Sequence, residues 1–307
     1  MLKYRFSPPI LMLISFLLLS IDQYAQQQND TVSYARLSKF TIASLNKYYY
    51  SNSDLKSSYL NSDVKMEALR ASIQIALPLK NEGSYFYSGL DYIYINSITN
   101  NNIPESYYNN VYKSLTYNLG VITGLKNHWS LLAIVSPAIA SDFKEPIGND
   151  DLMLGISAIA TKRYNAYFEY GIGFSFNTRF KYEMYLPLLT LQFKKYHHEL
   201  SALLPLQLSA YYCFKRYKIG FEGRLFENYY NADDKLAANI NMDKFGFSKV
   251  NFGPRMQVQL FQALYFNMAG GITVFNELTS LNKKGNKEEI TATPNKLFFN
   301  VGLSLQK

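Results

Sequence analysis

The segment YNAYFEYGIGFSFN, Tyr164–Asn177, decides the fold because its residues alternate in character with a period of two. One set of alternate positions, from Tyr164 to Phe176, is aromatic or aliphatic, whereas the other set, from Asn165 to Asn177, is mainly small or polar. A period of two indicates a β-strand with two unlike faces. In a soluble sandwich the aromatic face would be the core, but in a membrane barrel it would contact lipid.

Similar segments follow one another from Glu67 to the C-terminus. Each has about 11 to 15 residues, whereas soluble strands average about 5 to 6. Their polar faces carry mainly Gly, Ser, Asn and Gln, which would not fill the core of a soluble barrel. The sequence therefore predicts an all-β fold, a single transmembrane antiparallel up-and-down barrel of about 12 strands within a range of roughly 10 to 14. The predicted strands are 67–78, 84–97, 111–126, 128–140, 151–163, 164–178, 183–194, 199–212, 216–228, 246–260, 263–276 and 296–306.

The N-terminus has the three parts of a secretory signal peptide. Lys3 and Arg5 form a basic start, an apolar run extends from Ile10 to Ile21, and a polar end leads to Ala25. The apolar run of about 12 residues is too short for a spanning helix, which needs about 18 to 20. We therefore expect a signal peptide at 1–25, cleaved on export.

The mature chain is predicted to comprise an N-terminal segment at 26–65 and the barrel at 66–307. In the first part, Ala35–Leu45 is expected to be an extra strand, a periplasmic arm or a plug, and Tyr48–Asp63 a linker or loop. In outer-membrane barrels short turns alternate with long loops, and this alternation is interrupted once, between Lys194 and Tyr217. Either a strand there is miscounted or one outer loop is very short. Long polar loops are predicted at 98–110, 141–150, 229–244 and 277–295.

The cysteine count, the net charge and the aromatic content agree with an exported membrane barrel. The chain has one cysteine, Cys213, so an exported protein would fold without an internal disulfide. After loss of the signal peptide the 31 basic and 23 acidic residues become 29 and 22, a net charge of +7 that is scattered along the chain. This distribution suits an anionic surface or anionic solutes and indicates no nucleic-acid partner. The aromatic content of 16% matches the aromatic girdles of membrane barrels.

Several short motifs recur along the predicted strands and turns: Gly89-Leu90-Asp91-Tyr92, His128-Trp129-Ser130-Leu131, Ser141-Asp142-Phe143 with Asp150-Asp151, Tyr170-Gly171-Ile172-Gly173, Leu186-Pro187-Leu188 and Leu203-Leu204-Pro205. These motifs resemble an uncharacterised outer-membrane-type β-barrel family of Gram-negative bacteria, known as a domain of unknown function. The resemblance covers roughly 66–307 and implies a barrel in the cell outer membrane, without an established activity or site. The chain departs from many outer-membrane proteins at its end, Leu305-Gln306-Lys307, which lacks a terminal aromatic residue.

Catalytic and metal chemistry find little support in the sequence. His128 with Ser130, or His198 with Ser201, could be imagined as a pair, but the histidines lie beside turns and no third orienting group is placed. The acidic stretch 142–151 and the pair Asp233-Asp234 lack the spacing of a calcium loop. We therefore predict no enzyme, cofactor or metal site, and retain an embedded lipid-modifying enzyme only as a third hypothesis.

The charged residues of the polar faces are the most informative set. Charges facing lipid would cost about 2 to 4 kcal/mol near the midplane, so their placement on the polar faces supports the strand register. They could line a channel for small polar, including anionic, solutes, or form salt bridges in a closed lumen. We expect a monomer. The alternative function is a non-conducting structural or surface-interaction barrel that contacts lipopolysaccharide or proteins through its long loops. The predicted lumen residues are Arg70, Asp91, Glu169, Lys218, Glu222, Arg224, Lys249 and Arg255.

Overall fold

The structure is a computed structural model of the 307-residue chain. It describes residues 41–57, 60–80, 83–102, 105–178, 184–237, 240–281, 287–292 and 295–306. The predicted signal peptide, 1–25, lies outside the described residues. Within them, no helix is long and apolar enough to cross a bilayer.

The described residues fold into consecutive β-strands, with two short 3-10 turns at Lys126–His128 and Asn149–Asp151. The strands are β1 (Thr41–Ser57), β2 (Leu60–Pro78), β3 (Ser84–Asn102), β4 (Glu105–Gly124), β5 (Trp129–Ser141), β6 (Leu152–Arg163), β7 (Phe168–Asn177), β8 (Met184–Lys195), β9 (His198–Leu204), β10 (Gln207–Cys213), β11 (Tyr217–Ala237), β12 (Ile240–Gln259), β13 (Leu264–Leu281), β14 (Lys287–Ala292) and β15 (Leu297–Gln306).

These strands form a closed antiparallel barrel. Sequence neighbours pair from β1 to β13, and β15 then closes the ring between β13 and β1. β14 continues the line of β15 along the upper part of β13. The barrel therefore has 14 strands, which confirms the predicted fold class at the upper end of its range.

The strand count differs from 12 for two reasons. The predicted strand 199–212 is a hairpin of two short strands, β9 and β10, because Pro205 has no N–H to donate and the chain turns there. Alternation continues on both sides of that turn, which hides it in the sequence. β1 supplies the other strand, so among the described residues the barrel already includes Thr41, and the expected linker 48–63 lies mostly in β1 and β2. This agrees with the extra-strand alternative for 35–45 over its described part, 41–45, whereas 26–40 lies outside the described residues.

Three of the four predicted long loops are also largely strand. β3 and β4 run to Asn102 and from Glu105, β11 and β12 to Ala237 and from Ile240, and β13 and β14 occupy most of 277–295. Above the bilayer a strand needs no lipid-facing side, so these pairs lose the apolar alternation that predicts a strand. The connection after Ser141 is a true loop.

The opening segment is a strand, but a shorter one than predicted. Tyr164–Tyr167 forms a turn in which the Asn165 side-chain oxygen accepts hydrogen bonds from the Tyr167 and Phe168 N–H groups at 2.8 and 2.9 Å. Within β7, Ile172 is 63% exposed on the outer face, whereas Glu169 is 9% exposed on the inner face. The aromatic face therefore points outward, as predicted.

Exposed apolar residues form a belt around the outside of the barrel. Along β4 the belt runs from Leu115 to Leu125, the residue directly after the strand. These ten residue steps correspond to about 25 Å of height for a tilted strand, which matches the apolar band of membrane barrels. The short turns, the start of β1 and the end of β15 lie on one side of this belt, which we name the turn end. The opposite side is the loop end.

The barrel wall has two unequal heights. The tall wall consists of β1–β4 and β11–β13, with 17 to 21 residues per strand. The short wall consists of β5–β10, with 7 to 13 residues per strand. The tall wall extends well past the apolar belt at the loop end.

The tall wall bends over the lumen and meets the short wall. Asn231 of β11 pairs with Ser141 of β5, and its carbonyl accepts a hydrogen bond from the Asp142 N–H at 3.0 Å. With β14, the upper part of the tall wall has eight strands. The interior of an eight-stranded barrel is narrow enough for side chains to fill it. A buried, mainly aromatic cluster, here called the cap core, fills it: Tyr48, Tyr50, Val64, Met66, Ile95, Tyr112, Ala140, Tyr230, Ala232, Phe245, Phe247, Leu278 and Phe298.

Candidate functional site

A cavity of about 330 Å³ occupies the lumen beneath the cap core. Its lining extends from Thr41 and Gln306 at the turn end to Phe247 in the cap core. Among the described residues, five basic and four acidic side chains line it. The basic ones are Arg70, Lys194, Lys218, Arg224 and Arg255, and the acidic ones are Asp91, Glu199, Glu222 and Glu227.

β11 changes direction where it passes over this cavity. The consecutive residues from Arg224 to Asn228 all line the cavity. Successive side chains of a strand point to opposite faces, yet Leu225 is buried in one cluster with Ile159 and Leu188 of the short wall, while its neighbour Arg224 also lines the cavity. The upper part of β11 therefore crosses above the lumen and forms its roof.

The basic residues of β11 and β12 form a ladder that rises from the turn end toward the cap core. The register pairs Lys218 with Gln257, Gly220 with Arg255, Arg224 with Asn251, and Phe226 with Lys249. Four basic side chains therefore occupy inward positions at the levels of β11 residues 218, 220, 224 and 226. Neighbouring inward positions are about 7 Å apart along a strand, and Glu222 occupies the one position between the two arginines. We name Lys218, Arg255, Arg224 and Lys249 the cationic ladder.

One carboxylate of β11, Glu222, lies between the two arginines of the ladder. Arg255 Nη1 contacts both Glu222 oxygens at 2.7 Å, and Arg224 Nε lies 3.5 Å from Oε1. The Tyr211 hydroxyl donates to Glu222 at 2.8 Å, and Arg224 Nη2 donates to the Gln207 side-chain oxygen at 2.7 Å. One carboxylate cannot neutralise two guanidinium groups, so the Arg224–Glu222–Arg255 cluster keeps a net positive charge.

Two other charged pairs line the cavity. On β2 and β3, Arg70 binds the Asp91 carboxylate through two nitrogens, one of them, Nε, at 3.0 Å. Near the turn end, Lys218 Nζ lies 2.5 Å from Glu199 Oε1, and Lys194 lies 3.9 Å from the same carboxylate. These pairs hold the lower lumen walls in a fixed charge pattern.

Lys249, at the top of the ladder, is 2% exposed. Its ammonium donates to the Asn276 side-chain oxygen and lies 4.9 Å from the centre of the Tyr50 ring. Tyr50 in turn accepts a hydrogen bond from Asn251 at 3.1 Å. Polar partners and an aromatic face thus satisfy the ammonium where the cavity meets the cap core.

A hydrogen-bonded latch holds β11 to the loop that joins β5 and β6. The Asp151 carboxylate accepts from the Gly148 N–H at 2.7 Å and from the Asn231 side chain at 2.9 Å. Burial alone would raise the pKa of Asp151, but hydrogen bonds from Gly148, Asn231 and Ser141 outweigh it and lower that pKa below its ordinary value. The ionised form therefore favours the closed latch.

Six of the eight residues predicted to lie in the lumen line this cavity. Glu169 and Lys249 face inward and are buried, but Glu169 lies beside Arg163 at 3.9 Å and Lys249 lies beneath the cap core. Sequence reasoning missed Glu199, Gln207 and Tyr211. Glu199 directly follows His197 and His198 beside a turn, at the first position of a predicted strand, and the hairpin at Pro205 hid the inward positions of β10.

The histidines form no catalytic arrangement in the described chain. His128 lies in a tight turn with a φ of 61°, and Ser130 instead bonds to Thr161 at 2.7 Å. His198 packs edge-on against Tyr212, and Ser201 lines the cavity on the opposite face of β9. The described residues also contain no cluster of His, Cys, Asp and Glu suited to a metal ion.

The family model described as Domain of unknown function (DUF6268) matches residues 24–306. The chain belongs to this family. The match confirms the resemblance seen in the sequence motifs and extends over β1 as well as the predicted barrel region. A comparison with curated proteins gave no significant match.

Solved structures with a similar architecture are outer-membrane barrels. The COG4313 outer membrane channel from Pseudomonas putida F1 has 9% identity and a TM-score of 0.42 over 91% of this chain and 100% of the other. The translocator domain of the autotransporter NalP from Neisseria meningitidis has 9% identity and a TM-score of 0.39 over 86% and 88%. The toluene transporter TodX from Pseudomonas putida has 9% identity and a TM-score of 0.36 over 86% and 88%. Similarity at this level is limited to the barrel architecture.

Proposed function

We propose that this protein is an outer-membrane channel for small anionic solutes, closed in this conformation by the bent upper part of β11 and β12. The observation that carries the proposal is the cationic ladder. Its two arginines share Glu222, so the lumen offers an incoming anion a positively charged, partly desolvated site. Short turns would face the periplasm and the tall wall would face outward.

The polar cavity also favours a transport function over a lumen whose side chains serve only to stabilise the barrel. A filled lumen would be crossed by side chains along its whole height, as the cap core is. Below the cap core the side chains instead leave about 330 Å³ of space among charged and amide groups. Solute would enter this space and leave when the β11–β12 hairpin moves away from the short wall.

The test is the reversal potential of single-channel currents in planar bilayers under a KCl gradient. The wild-type barrel should prefer chloride, and Arg255→Glu should reduce or reverse that preference because it makes the cluster net negative. The control is Arg163→Glu, since Arg163 pairs with Glu169 outside the cavity lining. Equal reversal potentials for wild type and Arg255→Glu would refute the assignment.

A second candidate function is a non-conducting barrel whose tall wall contacts lipopolysaccharide or protein partners. The cap core favours it, because Tyr112 stacks on Phe245 with ring centres 4.4 Å apart and both rings are fully buried. A folded barrel that shows no current, even after the latch is removed, would support this candidate.

A further inference from the structure

The cavity is amphipathic along its height. Most of the charged groups described above line its lower part, with Glu227 higher on β11 beside Phe226, whereas aliphatic and aromatic side chains line its upper part. This apolar ceiling consists of Ile93, Leu206, Leu225 and Phe226, and the buried Ile95 and Phe247 of the cap core lie at its upper edge.

Charge and apolar surface meet at Arg224. Its guanidinium carbon lies 5.8 Å from the centre of the Phe226 ring, and Phe226 packs edge-on against Tyr48 with ring centres 5.0 Å apart. Leu225 follows Arg224 directly and also lines the cavity, because β11 bends there. A ligand group held by the arginines would therefore lie next to an aromatic and aliphatic surface.

Neither a bare ion nor a neutral hydrocarbon satisfies both parts of such a site. An inorganic anion would leave the apolar ceiling in contact with water, and a neutral ring would leave the arginine cluster without a counter-charge. A cavity of about 330 Å³ is within the range of small-molecule sites, roughly 300 to 1,000 Å³. Both features are satisfied by one molecule that carries an anionic group at one end and an apolar body at the other.

We infer that this cavity binds a small amphiphilic carboxylate, with its anionic group at Arg224 and Arg255 and its apolar body against the ceiling at Leu206, Leu225 and Phe226. The inference deepens the proposed anion channel and rests on it for the direction of transport. Arg255 and Arg224 would hold the carboxylate, in competition with Glu222. The ceiling would select against hydrophilic anions of the same charge.

The test is equilibrium binding by calorimetry, with the full barrel in lipid nanodiscs and three probes. Phenylacetate has a ring and a carboxylate, benzyl alcohol has the ring without the charge, and acetate has the charge without the ring. Phenylacetate should bind at least tenfold more tightly than either of the other two. Empty nanodiscs give the correction for partition into lipid.

Substitutions of the two arginines test the anionic half of the site. Arg255→Gln makes the arginine cluster neutral while Arg224 remains beside Glu222, so phenylacetate affinity should fall tenfold or more and benzyl alcohol binding should stay unchanged. Arg224→Gln provides an independent second variant if the first fails to fold. Arg163→Gln, outside the cavity lining, is the matched control and should bind phenylacetate as the wild type does.

Each outcome separates this inference from the channel proposal. Equal affinity for phenylacetate and acetate, or no binding of any probe, would overturn the amphiphile site even where anion-selective currents are measured. Tight phenylacetate binding in a barrel that never conducts would support the site and overturn the channel. Tight binding that survives both arginine substitutions would place the ligand elsewhere and overturn the inference.

Discussion

Asn231, near the top of β11, donates a hydrogen bond to the Asp151 carboxylate at 2.9 Å, although the first residue belongs to the tall wall and the second lies beside the short wall. The contact fixes the bent part of β11 above the cavity. In the proposed channel, closure would therefore depend on this contact and on the packing of the cap core beneath it.

Loss of the latch should open the lumen. Hydrogen bonds to a charged group contribute about 1.5 to 3 kcal/mol, so Asn231→Ala should raise the open population roughly tenfold or more. Open probability in planar bilayers measures this. Asp150→Ala is the control, because Asp150 is an exposed neighbour of the latch carboxylate. An unchanged open probability in Asn231→Ala would mean that the latch does not hold the cap.

The latch should also depend on pH. The pKa of Asp151 is lowered in the closed state, so its contribution is fully present above the ordinary carboxyl pKa of about 3.9 and is lost as the pH falls through the lower closed-state value. Acidification of the loop side to about pH 3 should therefore increase channel opening. Asp151→Asn should open more at neutral pH and respond less to acid. An acid response of equal size in Asp151→Asn would assign the effect to other groups.

The cap core should stabilise the closed state by packing. Phe245 is 1% exposed and stacks on Tyr112, so Phe245→Ala would leave a cavity and cost about 3 to 5 kcal/mol. We expect a higher leak conductance with the lower barrel still folded. Phe299→Ala removes the same ring from the lipid-facing belt, where Phe299 is 43% exposed, and should not raise the leak. Equal leaks in both variants would contradict a sealing role for the cap core.

Gly173 should be required for close packing of β7 on β6. A Cβ added there would lie 2.3 Å from the Ala158 carbonyl oxygen, so the backbone itself would have to move. Gly173→Ala should lower the yield of refolded barrel, measured by the shift in gel mobility on heating. At Gly148 an added Cβ meets nothing within 4 Å, so Gly148→Ala should refold normally. Normal refolding of Gly173→Ala would refute this requirement.

The lipid-exposed part of the fold could be predicted from the sequence because the bilayer imposes a period of two. The outward face of β7 and the inward position of Glu169 follow directly from that pattern. Beyond the apolar belt the constraint ends, so the upper parts of β3, β4, β11 and β12 were interpreted as loops. The hairpin at Pro205 was missed because a turn between two inward-facing positions preserves the alternation.

The candidate site could be predicted only in part. Alternation placed Arg224 and Arg255 in the lumen, but it could not show that both contact Glu222, since that depends on the register between β11 and β12. The closure of the lumen by the upper part of β11 and by the cap core was not predicted. Its contact between Asn231 and Asp151 joins residues 80 positions apart in the sequence, and no local pattern records it.

The most direct test of the account compares single-channel currents of the wild-type barrel and of Asn231→Ala in planar bilayers under a KCl gradient. The account predicts rare openings in the wild type, frequent openings in Asn231→Ala, and a reversal potential that favours chloride in both. No current from a folded Asn231→Ala barrel, or a current without preference for chloride, would contradict an anion channel closed by the bent upper part of β11 and β12.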